Sequence, residues 1–139
     1  MAMTTLIFSL APRWIDEVLA GYKTVELRRR PPKLTTAVPA YLYETQPHCR
    51  IRVKCSVGPV LSLPVDTLWK AVGSQARVDR DYFNKYFEGS ELAHAITIRN
   101  VVDVGTTMTL ERLRTLGFTP PQSWCRARSE IVNFVEATG

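Results

Sequence analysis

The hydrophobic spacing of this sequence changes period several times, and the order of those changes restricts the folds open to it. Residues 4–10 are apolar and β-prone and read as a buried strand. Pro12 suits a helix start, Trp14, Ile15, Val18 and Leu19 follow helical spacing, and Gly21 supplies the C-terminal cap. From Tyr22 to Arg30 the period drops to two, with Lys23, Val25 and Leu27 on one face and Thr24, Glu26 and Arg28 on the other. Pro31 and Pro32 stop that strand. Residues 40–45 and 51–63 predict two more strands, the second bent near Gly58-Pro59.

A short helix follows over 65–71 and closes near Gly73, and another starts from an Asp79 cap. Tyr82, Phe83, Tyr86 and Phe87 recur at helical spacing on the second, and such a stripe reads as core. A strand over 93–104, a helix over 109–116, a strand over 122–127 and a helix over 129–137 complete the pattern. Regular βαβ alternation is absent. The fold class predicted is α+β, a mixed sheet or small barrel with helices at its ends.

At 139 residues the chain predicts a single domain over 1–139, large enough to bury about two-thirds of its unfolded surface. The three cysteines, Cys49, Cys55 and Cys125, form no CxxC pair, so neither a zinc knuckle nor a disulfide framework is expected. No apolar run approaches the roughly 20 residues that cross a bilayer, and no leader pattern opens the chain. The expectation is a cytoplasmic protein with no metal, no cofactor and no membrane partner. The formal net charge of +5 favours a polyanionic partner, and the cations cluster at Arg28, Arg29, Arg30 and Lys33, at Arg50, Arg52 and Lys54, and at Arg126 and Arg128.

Four segments can carry chemistry. In Gly21-Tyr22-Lys23-Thr24-Val25-Glu26-Leu27-Arg28 a glycine cap delivers the chain into a strand, and Glu26 and Arg28, two residues apart, lie about 6–7 Å apart on one face. Arginine there can hold a phosphate, glutamate can accept a base amino group or shuttle a proton, and a buried lysine can act as base or nucleophile. An ion pair on a solvent-facing strand is the competing reading. Tyr41 and Tyr43 share a strand face and can stack bases, or can be ordinary half-buried sheet residues. Arg50, Arg52 and Lys54 alternate with apolar residues and form a cationic row that can follow a phosphate backbone or simply protect a sheet face. Pro120-Pro121-Gln122-Ser123-Trp124 is a stiff approach to a polar pair and an indole. No phosphate-loop, dinucleotide-binding, HExxH or GxSxG motif is present.

The segment 21–28 is similar to the G-x-K-x-x-E-x-R signature of the ASCH family, a branch of the PUA-like superfamily. Leu6 to Leu10, Arg29-Arg30-Pro31-Pro32, Tyr41-Leu42-Tyr43, the aromatic helix from Tyr82 to Gly89, and Gly117-Phe118 through Ser123 also resemble one ASCH subgroup. The resemblance covers residues 4–124, leaving 125–139 as a C-terminal extension. It implies a PUA-like mixed β-barrel with short surrounding helices and a cleft lined by Lys23, Glu26 and Arg28. It also implies RNA or a nucleotide-like ligand as partner, with ribonuclease-like processing that needs no metal. Lys23, Thr24, Glu26, Tyr43 and Ser123 are then the candidate catalytic residues, and Arg28, Arg29, Arg30, Arg50, Arg52, Lys54 and Trp124 the candidate nucleic-acid contacts. One branch of the family deacylates N-acylated cytidine nucleosides, and that amidohydrolase activity is the alternative reading. The branch carries a threonine where this chain has Glu26, with Thr24 two residues earlier. A third reading is an adaptor that binds another protein. Nothing in the sequence fixes an oligomeric state.

Overall fold

The computed structural model describes residues 4–138. Its elements follow the order expected from the sequence: β1 (Leu6–Leu10), α1 (Pro12–Leu19), β2 (Val25–Leu27), β3 (Val38–Glu44), β4 (Arg50–Pro64), α2 (Val65–Ala76), α3 (Arg80–Tyr86), β5 (Leu92–Asp103), α4 (Leu110–Arg114), β6 (Trp124–Arg126) and α5 (Ser129–Thr138). The six strands form one mixed sheet in the order β2-β5-β4-β3-β1-β6. Only β1 and β3 run parallel; the other pairs are antiparallel. The sheet curls into a PUA-like α+β half-barrel with helices packed on it.

Local chemistry explains most boundaries. Pro12 starts α1 where its missing N–H costs nothing. Gly21, at φ +83°, ends it in a Schellman motif, its N–H donating to the Val18 carbonyl and that of Tyr22 to the Glu17 carbonyl. The Asp79 carboxylate caps α3 by accepting the Tyr82 N–H, and the Thr109 hydroxyl caps α4 by accepting that of Arg112. The expected bend in β4 appears as a register shift between Val57 and Val60 around Gly58 (φ +101°), where a Cβ would meet the Thr36 carbonyl oxygen at 2.8 Å.

Two expectations need correction. Helix α2 runs through Gly73 to Ala76, because the Trp69 ring lies over that glycine, 2.5 Å from where a Cβ would stand. Gly73 is thus a packing position, and Arg77, in the left-handed region at φ 62°, ends the helix. Strand β2 has three residues instead of the nine from Tyr22 to Arg30, so Lys23 precedes the ladder and escapes its alternation.

Three apolar clusters fill the fold. The first packs Phe8, Leu10, Leu42 and Val53 under Ile15 and Val18 of α1. The second, on the other side of β1 and β3, joins Ile7, Tyr41, Tyr43 and Ile51 to Leu113 of α4 and to Ile131 and Val135 of α5. The third sets Leu68 and Ala76 of α2 and Phe83 of α3 against Val25, Leu27 and Ala95. No helix among the described residues is long and apolar enough to cross a membrane.

Candidate functional site

The sheet's two outer strands, β2 and β6, are the farthest apart in strand order, yet its curl brings their ends together. Arg28, one residue past β2, donates from Nη1 to the Ser123 hydroxyl at 3.0 Å, one residue before β6. Its Nη2 donates to the Ser9 carbonyl of β1 at 2.9 Å. The Trp124 indole N–H donates to the Arg30 carbonyl at 3.0 Å. These side-chain bridges span the seam that backbone ladders leave open.

Beside the seam lies a cleft of about 200 Å³ lined by Ser9, Trp14, Lys23, Glu26, Arg28, Val78, Tyr82 and Tyr86, among others. In its wall Glu26 Oε1 is 3.3 Å from Lys23 Nζ, and Oε2 is 2.8 Å from Arg28 Nη2. The side chains of Glu26 and Arg28 keep about an eighth of their surface exposed, at 12% each, whereas that of Lys23 keeps 1%. The Lys23 Nζ also donates to the Ala76 carbonyl at 2.8 Å. That oxygen is one of the acceptors the C-terminal end of α2 leaves free, where a cation is favoured. Burial is the largest influence on Lys23 and lowers its pKa from the ordinary 10.5, with Arg28 and Arg13 adding to the fall; Glu26 opposes it. The Nε of Arg28 is buried without a hydrogen-bond partner in the protein.

The opposite wall is aromatic. Trp14 from α1 stands edge-on to Tyr82 from α3, with centroids 6.2 Å apart, and Tyr82 is nearly parallel to Tyr86 at 6.2 Å. The Tyr86 hydroxyl reaches the Leu27 carbonyl at 3.4 Å. The Arg13 guanidinium carbon sits 3.9 Å from the Trp14 ring centre, and that of Arg29 4.7 Å from Tyr86. The aromatic stripe therefore divides between two faces. Phe83 and Phe87 are core, as expected, whereas Tyr82 is exposed and Tyr86 half-buried. The repeated Tyr-Phe pairing four residues apart is the sequence signal for this division, because each hydroxyl marks the wetter face.

The other candidates lie elsewhere. Thr24 faces away, into a hollow with Val72, Gln75 and Thr97. Tyr43 is buried in the second cluster against Phe118, with ring centres 5.6 Å apart, and is absent from the cleft lining; burial raises its phenol pKa. It does share a neighbour with Ser123, since Ser9 is its Cα partner in the β1–β3 ladder and donates its N–H to the Ser123 carbonyl. Tyr41 is also buried, its hydroxyl donating to Glu136 at 2.7 Å. Each cation of the β4 row has a carboxylate: Glu44 for Arg50, Asp103 for Arg52 and Glu136 for Lys54. Arg29 and Arg30 are exposed. Trp124 borders a separate groove of about 650 Å³ with Pro31, Pro32, Lys33 and Arg126. Among the described residues no group of three or more histidine, cysteine, aspartate or glutamate side chains could hold a metal ion.

No protein-family model matches the chain. It is 30% identical over 126 residues to an "ASCH domain-containing ribonuclease" of Zymomonas mobilis subsp. mobilis, across 89% of this chain and 84% of the relative. A crystal structure of ASCH from Zymomonas mobilis superposes with a TM-score of 0.88 at 29% identity, covering 97% of this chain and 96% of that one. A tyrosine-to-phenylalanine variant of that protein gives 0.88 at 27% identity, with 96% of each chain covered. A serine-to-alanine variant gives 0.86 at 28% identity, over 97% of this chain and 96% of that one.

Proposed function

The chain belongs to the ASCH family, and from that premise we propose that it binds RNA at the seam cleft and cleaves it by a ribonuclease-like reaction carried by side chains alone. The observation that carries this reading is the Lys23–Glu26–Arg28 chain of contacts, at 3.3 and 2.8 Å, in the wall of an open cleft. A curated relative named as a ribonuclease supports it.

Arg28 has the reach and charge to hold a phosphate oxygen. Ser123 and the Ser9 carbonyl fix its guanidinium, so the charge is held at the cleft wall at little further cost in side-chain freedom. Glu26 takes the proton of a ribose 2′-hydroxyl. That oxygen attacks the adjacent phosphorus, the bond from phosphorus to the 5′-oxygen breaks, and Glu26 returns the proton to the departing oxygen. The products are a 2′,3′-cyclic phosphate and a 5′-hydroxyl, and the carboxylate is regenerated. Lys23 is too enclosed to meet substrate directly; it acts as a positioning residue that holds the Glu26 carboxylate in place.

The test is cleavage of a labelled single-stranded RNA, with the new ends identified. Glu26→Gln should lower the rate by about 10²- to 10⁴-fold, the usual worth of a proton-transfer group. Arg28→Lys should weaken binding by removing the bidentate fork, and Arg28→Gln, which also removes the charge, should in addition flatten its salt dependence. Lys23→Met should displace the pH profile of kcat more than it alters KM. Cleavage that survives Glu26→Gln, or fragments ending in a 3′-hydroxyl, would rule out this chemistry.

A further inference from the structure

The proton shuttle uses one wall of the cleft and leaves the aromatic wall without a task. Resting on the RNA reading above, we propose that Trp14, Tyr82 and Tyr86 form a stacking subsite for one unpaired nucleobase, with Arg13 and Arg29 meeting phosphates at its rim.

Three observations lead there. The first is the exposure of Tyr82, with Trp14 and Tyr86 half-buried beside it. A tyrosine left 42% exposed beside a cleft, as Tyr82 is, has not been used to fill the core. The second is charge. Aromatic walls also take cationic ligands, but here Arg13 already lies 3.9 Å and Lys23 4.8 Å from the Trp14 ring centre, and Arg29 4.7 Å from that of Tyr86. Glu26 is the one carboxylate lining the cleft and is already paired to Lys23 and Arg28. A further cation would be repelled. A planar ring attached to a phosphate chain has both its face and its charge matched.

The third is size. The cleft, at about 200 Å³, is smaller than the roughly 300–1,000 Å³ of sites that engulf a drug-sized molecule. It suits a single base. A base within a duplex cannot enter such a cleft without leaving its stack, so single-stranded RNA is the substrate class.

The experiment compares a 2′-O-methyl RNA hexamer, which lacks the attacking hydroxyl and stays intact, with the same ribose-phosphate backbone without bases. Binding is followed by fluorescence anisotropy at several salt concentrations. The unmodified protein should bind the hexamer roughly 5- to 150-fold more tightly than the baseless backbone, the range expected for one stacked base. Tyr82→Ala should erase most of that margin while leaving the backbone's affinity and the salt slope in place; Tyr82→Phe should keep the margin. Tyr82 is exposed, so its truncation leaves the core packing intact, and Tyr82→Leu, which keeps side-chain bulk without an aromatic face, serves as the second variant. Salt-dependent binding of both ligands with no margin for bases would overturn the subsite and leave the RNA reading standing. Equal loss on both ligands in Tyr82→Ala would do the same. If the unmodified protein bound neither ligand, both would fall.

Discussion

Replacing Glu26 by glutamine keeps the shape of the cleft and removes the single negative charge between two enclosed cations. With an effective dielectric constant of about 20, Coulomb attraction at the 3.3 Å and 2.8 Å separations is about 5 and about 6 kcal/mol. Most of that gain is offset by the desolvation of the ions. The net loss on breaking such a pair is about 3–5 kcal/mol, because the remaining charges stay enclosed without compensation. In urea, with a slope near 2 kcal/mol per molar, the unfolding midpoint should fall by about 2 M.

The deficit should also depend on pH. Glu26 is the group that holds the pKa of Lys23 up against burial. Without it the folded-state value drops further below the unfolded 10.5. Between those two values the unfolded chain binds more protons than the folded one, so the variant's stability rises with pH across that window. The gap between Glu26→Gln and the unmodified protein is therefore widest near neutrality and narrows toward pH 10. Urea unfolding followed by circular dichroism at a series of pH values measures this. A variant within about 1 kcal/mol of the parent, or a gap that widens as pH rises, would refute the account of an enclosed, mutually dependent charge cluster.

Gly73→Ala should destabilise the protein by about 1–3 kcal/mol in thermal unfolding, even though alanine is the better helix former, because the added carbon must push the Trp69 ring off its seat against Phe83. Cys55 is buried and its thiol pKa is pushed up to about 12 from 9.0, so the stability it contributes is present below pH 9 and is lost as pH rises toward 12. Cys55→Ala should remove up to about 4 kcal/mol of that alkaline loss, read as a flatter stability profile between pH 9 and 12. The double variant Arg52→Gln and Lys54→Gln should change RNA affinity by less than about 2-fold, since both cations are already neutralised by carboxylates. A large fall in the salt slope of binding would show instead that the β4 face follows the phosphate chain.

Much of this molecule is legible in its sequence wherever the cause is local. Pro12, Gly21, Asp79 and Thr109 mark helix ends because each acts on backbone groups within a few residues. Gly58 marks the break in β4 for the same reason. The spacing of Lys23, Glu26 and Arg28 also carries meaning, since Glu26 and Arg28 share a strand face whatever the rest of the chain does. That Lys23 joins them follows from a strand that starts two residues after it, which strict alternation over 22–30 does not predict.

What the sequence leaves open is decided by partners far along the chain. Residue 28 finds residue 123 only because the curl of six strands brings together two edges that no ladder joins. The cations of β4 look like a phosphate track until Asp103 and Glu136, 51 and 82 residues later, neutralise two of them. The Tyr-Phe repeat marks the two faces of α3, but that its Tyr face lines a cleft depends on where Trp14 and Lys23 stand. Short-range rules set the elements, because backbone hydrogen bonding and side-chain period act over a turn or two. The site is set by sheet curvature and by charge pairing through space, and neither is encoded in any one stretch of residues.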